Sequence, residues 1–228
     1  MKENLTAVCI SQQMETWEIG SIPFYCYTDN WKPFGREKTR ERVQYLASRR
    51  NGAVEAAVNS FPKTEHILMI DSYYIRFLEE TKQLISNYLS LGKETKCIIG
   101  ASTWSLNKTR IRPFVHFWDT WTTPEASVRF YGKSKFERAR QMIGQREVKA
   151  VGACYIYPRM VWENGGYGVP SNWTPDYGCE HNYLCENAKR DGVTAYLNYD
   201  VKLWREPTVY PPTKRIRCSA GEFLRGKM

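Results

Sequence analysis

A chain of 228 residues that is 42% hydrophobic can bury one core, and it is too apolar to be a disordered tail. Its formal charge of +9 implies an anionic partner: nucleic acid, an acidic membrane face or a nucleoside diphosphate. No run approaches the roughly 20 apolar residues that span a bilayer, and MKENLTAVCI has no charged leader before a long apolar stretch, so no signal peptide is expected. The seven cysteines (Cys9, Cys26, Cys97, Cys154, Cys179, Cys185 and Cys218) are scattered and include no CxxC pair. That pattern fits reduced thiols in a cytoplasmic compartment better than disulfides or a zinc site.

LTAVCIS, residues 5–11, reads as a strand, and IPFYCYTDN, residues 22–30, as a second that ends at Asp29 and Asn30. A turn-rich stretch then leads to a helix from about Arg40 to Asn59, with Val43, Leu46, Ala47, Val54, Ala57 and Val58 at helical spacing. Arg50 falls inside that apolar face, where a charge is costly unless it is paired. HILMID, residues 66–71, is an apolar strand core that stops on Asp71. A helix from about Tyr74 to Leu91 and a strand KCIIGAS follow. Residues 102–145 are aromatic and basic with little periodicity. VKAVGACYIYP, residues 148–158, predicts one strand, and PRMVWENGGYG a helical turn closed by glycines. CEHNYLCENAKRDG, residues 179–192, predicts a helix stopped by Gly192. VTAYLNYDVKLW reads as a final strand pair, and the tail after Pro211-Pro212 carries Lys214, Arg215, Arg217, Arg225 and Lys227. Strands alternating with helices predict an α/β layered domain.

Several polar positions stand out. Asp71 either starts a turn through its own backbone or offers a ligand group, since open α/β sheets bind ligands beyond the carboxyl ends of their strands. Ser11, Gln12 and Asp29 are either ordinary polar strand ends or hydrogen-bonding groups for a base and ribose. Arg50 makes either an internal salt bridge or a contact to a base or phosphate.

Three segments, in order, resemble one family. ASRRNGAVEAAVNSFPKTEHILMIDSYY is similar to the Arg-Asn helix and acid-bearing strand of family 2-type glycosyltransferases with the GT-A fold. VGACYIYPRMVWENGGYG is similar to their strand, short helix and Gly-Gly-aromatic block. YGCEHNYLCENAKRDG resembles their G-x-E-D-x-x-L helix. Each motif is short, and their order and spacing over residues 5–205 carry the resemblance.

The resemblance implies a GT-A-like single domain with a mixed, mostly parallel central sheet flanked by helices. Residues 1–100 would bind the nucleotide, residues 101–205 the acceptor, and residues 206–228 would form a basic tail able to touch an acidic membrane surface. It puts Arg50 and Asn51 against the nucleotide. Asp71 would meet the ribose and a divalent metal, Mn²⁺ or Mg²⁺, since oxygen ligands suit such ions. Here the acid-x-acid motif reads Asp71-Ser72-Tyr73, with Tyr73 in the place of the second acid, and Trp204 and Arg205 lie where a late His ligand is common. Lys202 or Arg205 would then neutralise the diphosphate. Glu180 and His181 occupy the place of the pair whose second member deprotonates the acceptor, and an imidazole can act as that base. Trp173 would stack on a sugar and Asp176 bond its hydroxyls, while His116 and Asp119 lie in the segment that would line the acceptor groove. The expected activity is sugar transfer from a nucleoside-diphosphate donor to a hydroxyl on a glycan, lipid or protein. The competing expectation is a non-catalytic protein that binds nucleic acid or nucleotide through basic and aromatic groups. Acids at Asp71 and Glu180 argue against the nucleic acid.

Overall fold

The computed structural model describes residues 4–11, 21–28, 38–91, 96–107, 113–117, 122–123, 128–175 and 178–205. Gln12, Asp29, Asp119, Asp176 and the basic tail lie outside them, as do the side chains of Asn107 and Arg205.

Strand β1 (Leu5–Ser11) is buried along its whole length, which is why LTAVCIS shows no polar alternation. It pairs in parallel with β2 (Phe24–Thr28) on one side and β3 (His66–Asp71) on the other. The carboxyl ends of all three therefore lie on one edge of the sheet. Between β2 and β3 runs α1 (Arg40–Ser60), started by Thr39, whose hydroxyl accepts the N–H of Arg42 at 3.2 Å. It stops at Phe61, just ahead of Pro62.

After β3 a 3₁₀ turn (Ser72–Tyr74) precedes α2 (Leu78–Ser90), so the predicted helix begins four residues late. Strand β4 (Cys97–Asn107) is the hub of the sheet. It pairs antiparallel with β5 (Phe114–Phe117) and, through β5, with β6 (Arg129–Tyr131). Next come α3 (Lys135–Gln141), β7 (Gln145–Val148), β8 (Cys154–Pro158), α4 (Arg159–Glu163), α5 (Glu180–Arg190) and β9 (Thr194–Arg205). Strand β8 lies between β3 and β4, antiparallel to both, and β9 runs parallel to β4 and antiparallel to β7.

The molecule is thus α/β, with a mixed central sheet flanked by helices. The expectation of a mostly parallel sheet is corrected: among the described residues three pairings are parallel and five antiparallel. Alternation along the strands divides the core. Val8, Ile10, Ile67 and Met69 pack with α1 and α5, whereas Ala7, Cys9, Leu68 and Ile70 pack with α2. Helices cover both faces.

Two further expectations change. Of the strand predicted over 148–158 only residues 154–158 form one, β8; Val148 ends β7, which has different partners, and residues 149–153 lie in neither. The chain turns between them at Ala153, whose φ of 63° is a left-handed conformation that costs a non-glycine residue on the order of 1–2 kcal/mol. Cys154 N–H reaches the Gly152 carbonyl at 2.7 Å across this turn, and Ala153's own carbonyl accepts Asp71 N–H at 2.8 Å. The predicted final strand pair is one strand, β9, carrying an irregularity. Its register against β4 jumps from Ala101↔Asn198 to Ser102↔Lys202, which sets residues 199–201 outside the pairing.

Candidate functional site

Arg50 lies midway along α1 on the face that packs against the sheet and is 4% exposed. A guanidinium there must be paired. Its Nη2 donates to Asp71 Oδ1 at 2.8 Å, and its Nε donates to Glu180 Oε1 at 3.0 Å. Asp71 ends β3 and Glu180 opens α5, so three segments far apart in sequence meet at the edge where β1, β2 and β3 terminate. Asp71 is 37% exposed and forms the rim, while Glu180, 3% exposed, forms the floor. Burial opposes the charge on Arg50, but Asp71 and Glu180 outweigh it and hold the guanidinium's pKa above its usual value.

A chain of hydroxyls leads into this cluster. Tyr157 and Tyr155, two apart on β8, direct their phenols to one side, with Tyr157 Oη 3.0 Å and Tyr155 Oη 2.7 Å from Tyr167 Oη. Tyr155 Oη is also 2.9 Å from His181 Nδ1, and His181 Nε2 faces Glu180 Oε1 at 3.4 Å. Burial first, and then the charge on Arg50, hold the His181 pKa well below 6.5, so its imidazole is neutral. One assignment of protons satisfies every member: Tyr157 donates to Tyr167, Tyr167 to Tyr155, Tyr155 to Nδ1, and Nε2–H points at the Glu180 carboxylate. Burial raises all three phenol pKa values, so the hydroxyls keep their protons.

Asn51, next to Arg50, does different work. Its Oδ1 accepts Tyr167 N–H at 2.8 Å and Trp162 Nε1–H at 3.2 Å, and its Nδ2 donates to the Tyr167 carbonyl at 2.9 Å. It clamps the loop that carries Tyr167 and spends its amide on protein partners. This explains the Gly-Gly-aromatic block. Gly166 has φ 58°, and a Cβ on it would stand 2.5 Å from Asn51 Oδ1.

The other expected residues divide. Ser11 is buried at the end of β1, on the same sheet edge as Asp71. Trp173 sits half-buried in the loop before α5, where a Cβ on Gly178 would touch it at 3.3 Å. Lys202 is not turned to the cluster, because its Nζ donates to the carbonyls of Met142, at 2.6 Å, and Tyr199. His116 belongs to β5, with Nδ1 2.9 Å from the Phe117 oxygen. Gln12, Asp29 and Asp176 lie outside the described residues, and Arg205 is described only as the last residue of β9, paired with Ser105.

No family model matches the chain, and no curated protein matches it at a significant level.

Chemically, the cluster sets one guanidinium between two carboxylates, so its own charge balance is negative. Arg50 Nη1 and Glu180 Oε2 are buried with no hydrogen-bond partner among the described residues. Such atoms await a polar group. A divalent metal fits poorly. Asp71 shares Oδ1 with Arg50, and no group of three His, Cys, Asp or Glu side chains is placed to hold a metal ion among the described residues. Tyr155, Tyr157 and Tyr167 went unread in the sequence. The signal was there: YIY puts two phenols on one face of an otherwise apolar strand, and buried phenols need partners.

Proposed function

We propose that this protein is a GT-A-type glycosyltransferase, transferring a sugar from a nucleoside-diphosphate donor to an acceptor hydroxyl. One observation carries the reading. Arg50 and Asp71, both from the first segment that resembles the family, and Glu180, from the third, form a single ion-paired cluster at the carboxyl edge of β1 and β3. That edge is where open α/β sheets take ligands.

In this reading the donor's ribose and diphosphate lie over Asp71 and the end of β1. The acceptor oxygen attacks the anomeric carbon, the bond to the diphosphate breaks, and the acceptor proton leaves to a base. Position within the motif favours His181 for that base. The proton arrangement favours Glu180, because His181 Nδ1 faces Tyr155 and its Nε2 then carries the proton, while Glu180 keeps one oxygen without a partner among the described residues. His181 then acts as a positioning residue that fixes Glu180. The leaving diphosphate draws its counter-charge from cations other than Arg50, which its two carboxylates already occupy. Tyr73 stands in the place of the second acid of the motif, so a metal should aid donor binding only modestly, and donor binding in EDTA against excess Mn²⁺ checks it.

A second reading has an observation of its own. The Glu180 side chain, 3% exposed, is sealed from any acceptor in this conformation, which suits a protein that binds a nucleotide and transfers nothing. Thermal melts with a panel of nucleoside diphosphates test the ligand class, because a ligand of the native state alone raises its apparent stability. UDP or GDP should raise the melting temperature. A flat panel together with tight single-stranded DNA binding would defeat the reading, and binding without turnover for any acceptor would leave only the second one.

A further inference from the structure

Far along the chain from this cluster, the turn between α3 and β7 shows an unusual investment. Ile143 is 76% exposed, the most exposed of the three large hydrophobic side chains that stand out among the described residues. Phe136, another of the three, is at the start of α3, 37% exposed and leaning on Trp204 with ring centres 5.9 Å apart. An isolated exposed aliphatic needs no explanation when its backbone frays. This one is held. Lys202 donates to the Met142 carbonyl at 2.6 Å, Gly144 N–H donates to Asp200 Oδ1 at 2.9 Å, and Tyr199 N–H donates to the Gly144 carbonyl at 2.8 Å. Gly144 takes φ 84° to make the bend. The three anchors come from β9 where its register jumps, so the irregular part of that strand fixes the turn that holds Ile143 out.

The surroundings are basic. Residues 133–146 contain Lys133, Lys135, Arg138, Arg140 and Arg146 against the single acid Glu137. Lys133, Arg138 and Arg140 are exposed. Two copies of this face would set like charges against each other, which disfavours self-association. Single-stranded nucleic acid would suit the charge, but it is held by stacking on aromatic faces. The projecting group here is aliphatic, and the neighbouring phenyl ring leans on Trp204. The acids near Ile143 in the fold or chain are Asp200, tied to Gly144 N–H, and Glu147. An exposed aliphatic tip on a turn that follows a basic helix suits the boundary between anionic headgroups and acyl chains, where apolar groups insert and basic groups meet phosphate.

We propose that α3 and the 142–144 turn dock on an anionic phospholipid surface, with Ile143 entering the headgroup–acyl boundary and Lys133, Arg138 and Arg140 on the headgroups. These residues are other than those of the basic tail, and the proposal does not depend on the transferase reading. The test is co-sedimentation of the full chain with phosphatidylserine–phosphatidylcholine vesicles and with phosphatidylcholine alone. Binding should require phosphatidylserine and fall as salt rises. Ile143→Ser should weaken it several-fold, Ile143→Trp should strengthen it, and the pair Lys133→Glu and Arg140→Glu should abolish it. Melting temperatures should stay unchanged, because these side chains are exposed. Three results would overturn the proposal: no sedimentation with either vesicle, sedimentation indifferent to Ile143 and Arg140 (the tail then carries it), or single-stranded RNA binding lost in these variants while vesicles do not bind.

Discussion

Two places in this molecule use charged side chains to hold backbone together, and they do it under opposite conditions. Around Arg50 two of the three charges are buried, they come from α1, β3 and α5, and Arg50 Nη1 and Glu180 Oε2 have no hydrogen-bond partner among the described residues. Around Lys202 the charges lie near the surface, come from one irregular strand, and close on the carbonyls and N–H of a single turn. The first arrangement brings distant segments to one point and keeps unused hydrogen-bonding capacity there. The second is spent on a local bend. The contrast separates a candidate site, where distant segments converge on charges with spare hydrogen-bonding capacity, from a scaffold, where charges close a local bend. Spare capacity alone does not mark a site, since Asn198 Nδ2 on β9 is also buried without a partner among the described residues.

The largest test of that contrast is Arg50→Met. It strands Glu180 as an unpaired buried carboxylate, and such losses cost roughly 3–5 kcal/mol. Urea unfolding should show a drop of that order, and adding Glu180→Leu should recover much of it. A drop below about 1 kcal/mol would mean that water already reaches the cluster and that its burial is overstated.

An acid titration is the next largest. Burial is the leading cause that lowers the pKa of each of the three histidines, His66, His116 and His181, from the ordinary 6.5, for His116 to about 4. The unfolded chain therefore takes up protons first as pH falls. Stability is full above about 6.5 and declines below it, at up to roughly 1.4 kcal/mol per pH unit for each histidine that stays neutral in the native state. The His116 contribution to that slope ends near pH 4. Thermal melts across this range should show the decline, and His181→Gln should make it shallower. A melting temperature that is flat from pH 7 to about 5 would contradict the burial of these rings.

The smallest effect belongs to the second place. Lys202→Met removes two hydrogen bonds from a half-buried lysine, but water can reach the freed carbonyls, so the loss should be about 1 kcal/mol. Urea unfolding of this variant beside Arg50→Met sharpens the comparison directly. Equal losses would dissolve the distinction between site and scaffold.

Much of this was legible in the sequence, and the reasons differ by region. α1, β1, β3 and α5 are long or uniformly apolar enough for a period to show; Arg50 stands out as a charge on an apolar helix face, Asp71 as the acid that ends an apolar strand, and Glu180 through the resemblance. The middle resisted because β5, β6 and β7 have four, three and four residues, too few to carry a period. The break at Ala153 was hidden, since a left-handed turn is usually announced by glycine and here falls one residue past Gly152. The resemblance puts Asn51 beside Arg50 against the nucleotide, but a motif match carries no side-chain direction. On a helix adjacent residues diverge by roughly 100°, and that angle sends Asn51 to the Tyr167 loop instead.

The row of phenols behind Glu180 has one more property. Its four links all point the same way, toward a negative end, so the sense of the row is set by a single charge. Were Glu180 to accept a proton, Nε2–H of His181 would lose its reason to face it, and the lower-energy pattern would run backwards, with Nδ1–H donating to Tyr155. The tautomer of one imidazole therefore acts as a gauge of whether a carboxylate beside it is loaded, readable by nitrogen resonance frequencies without any substrate present.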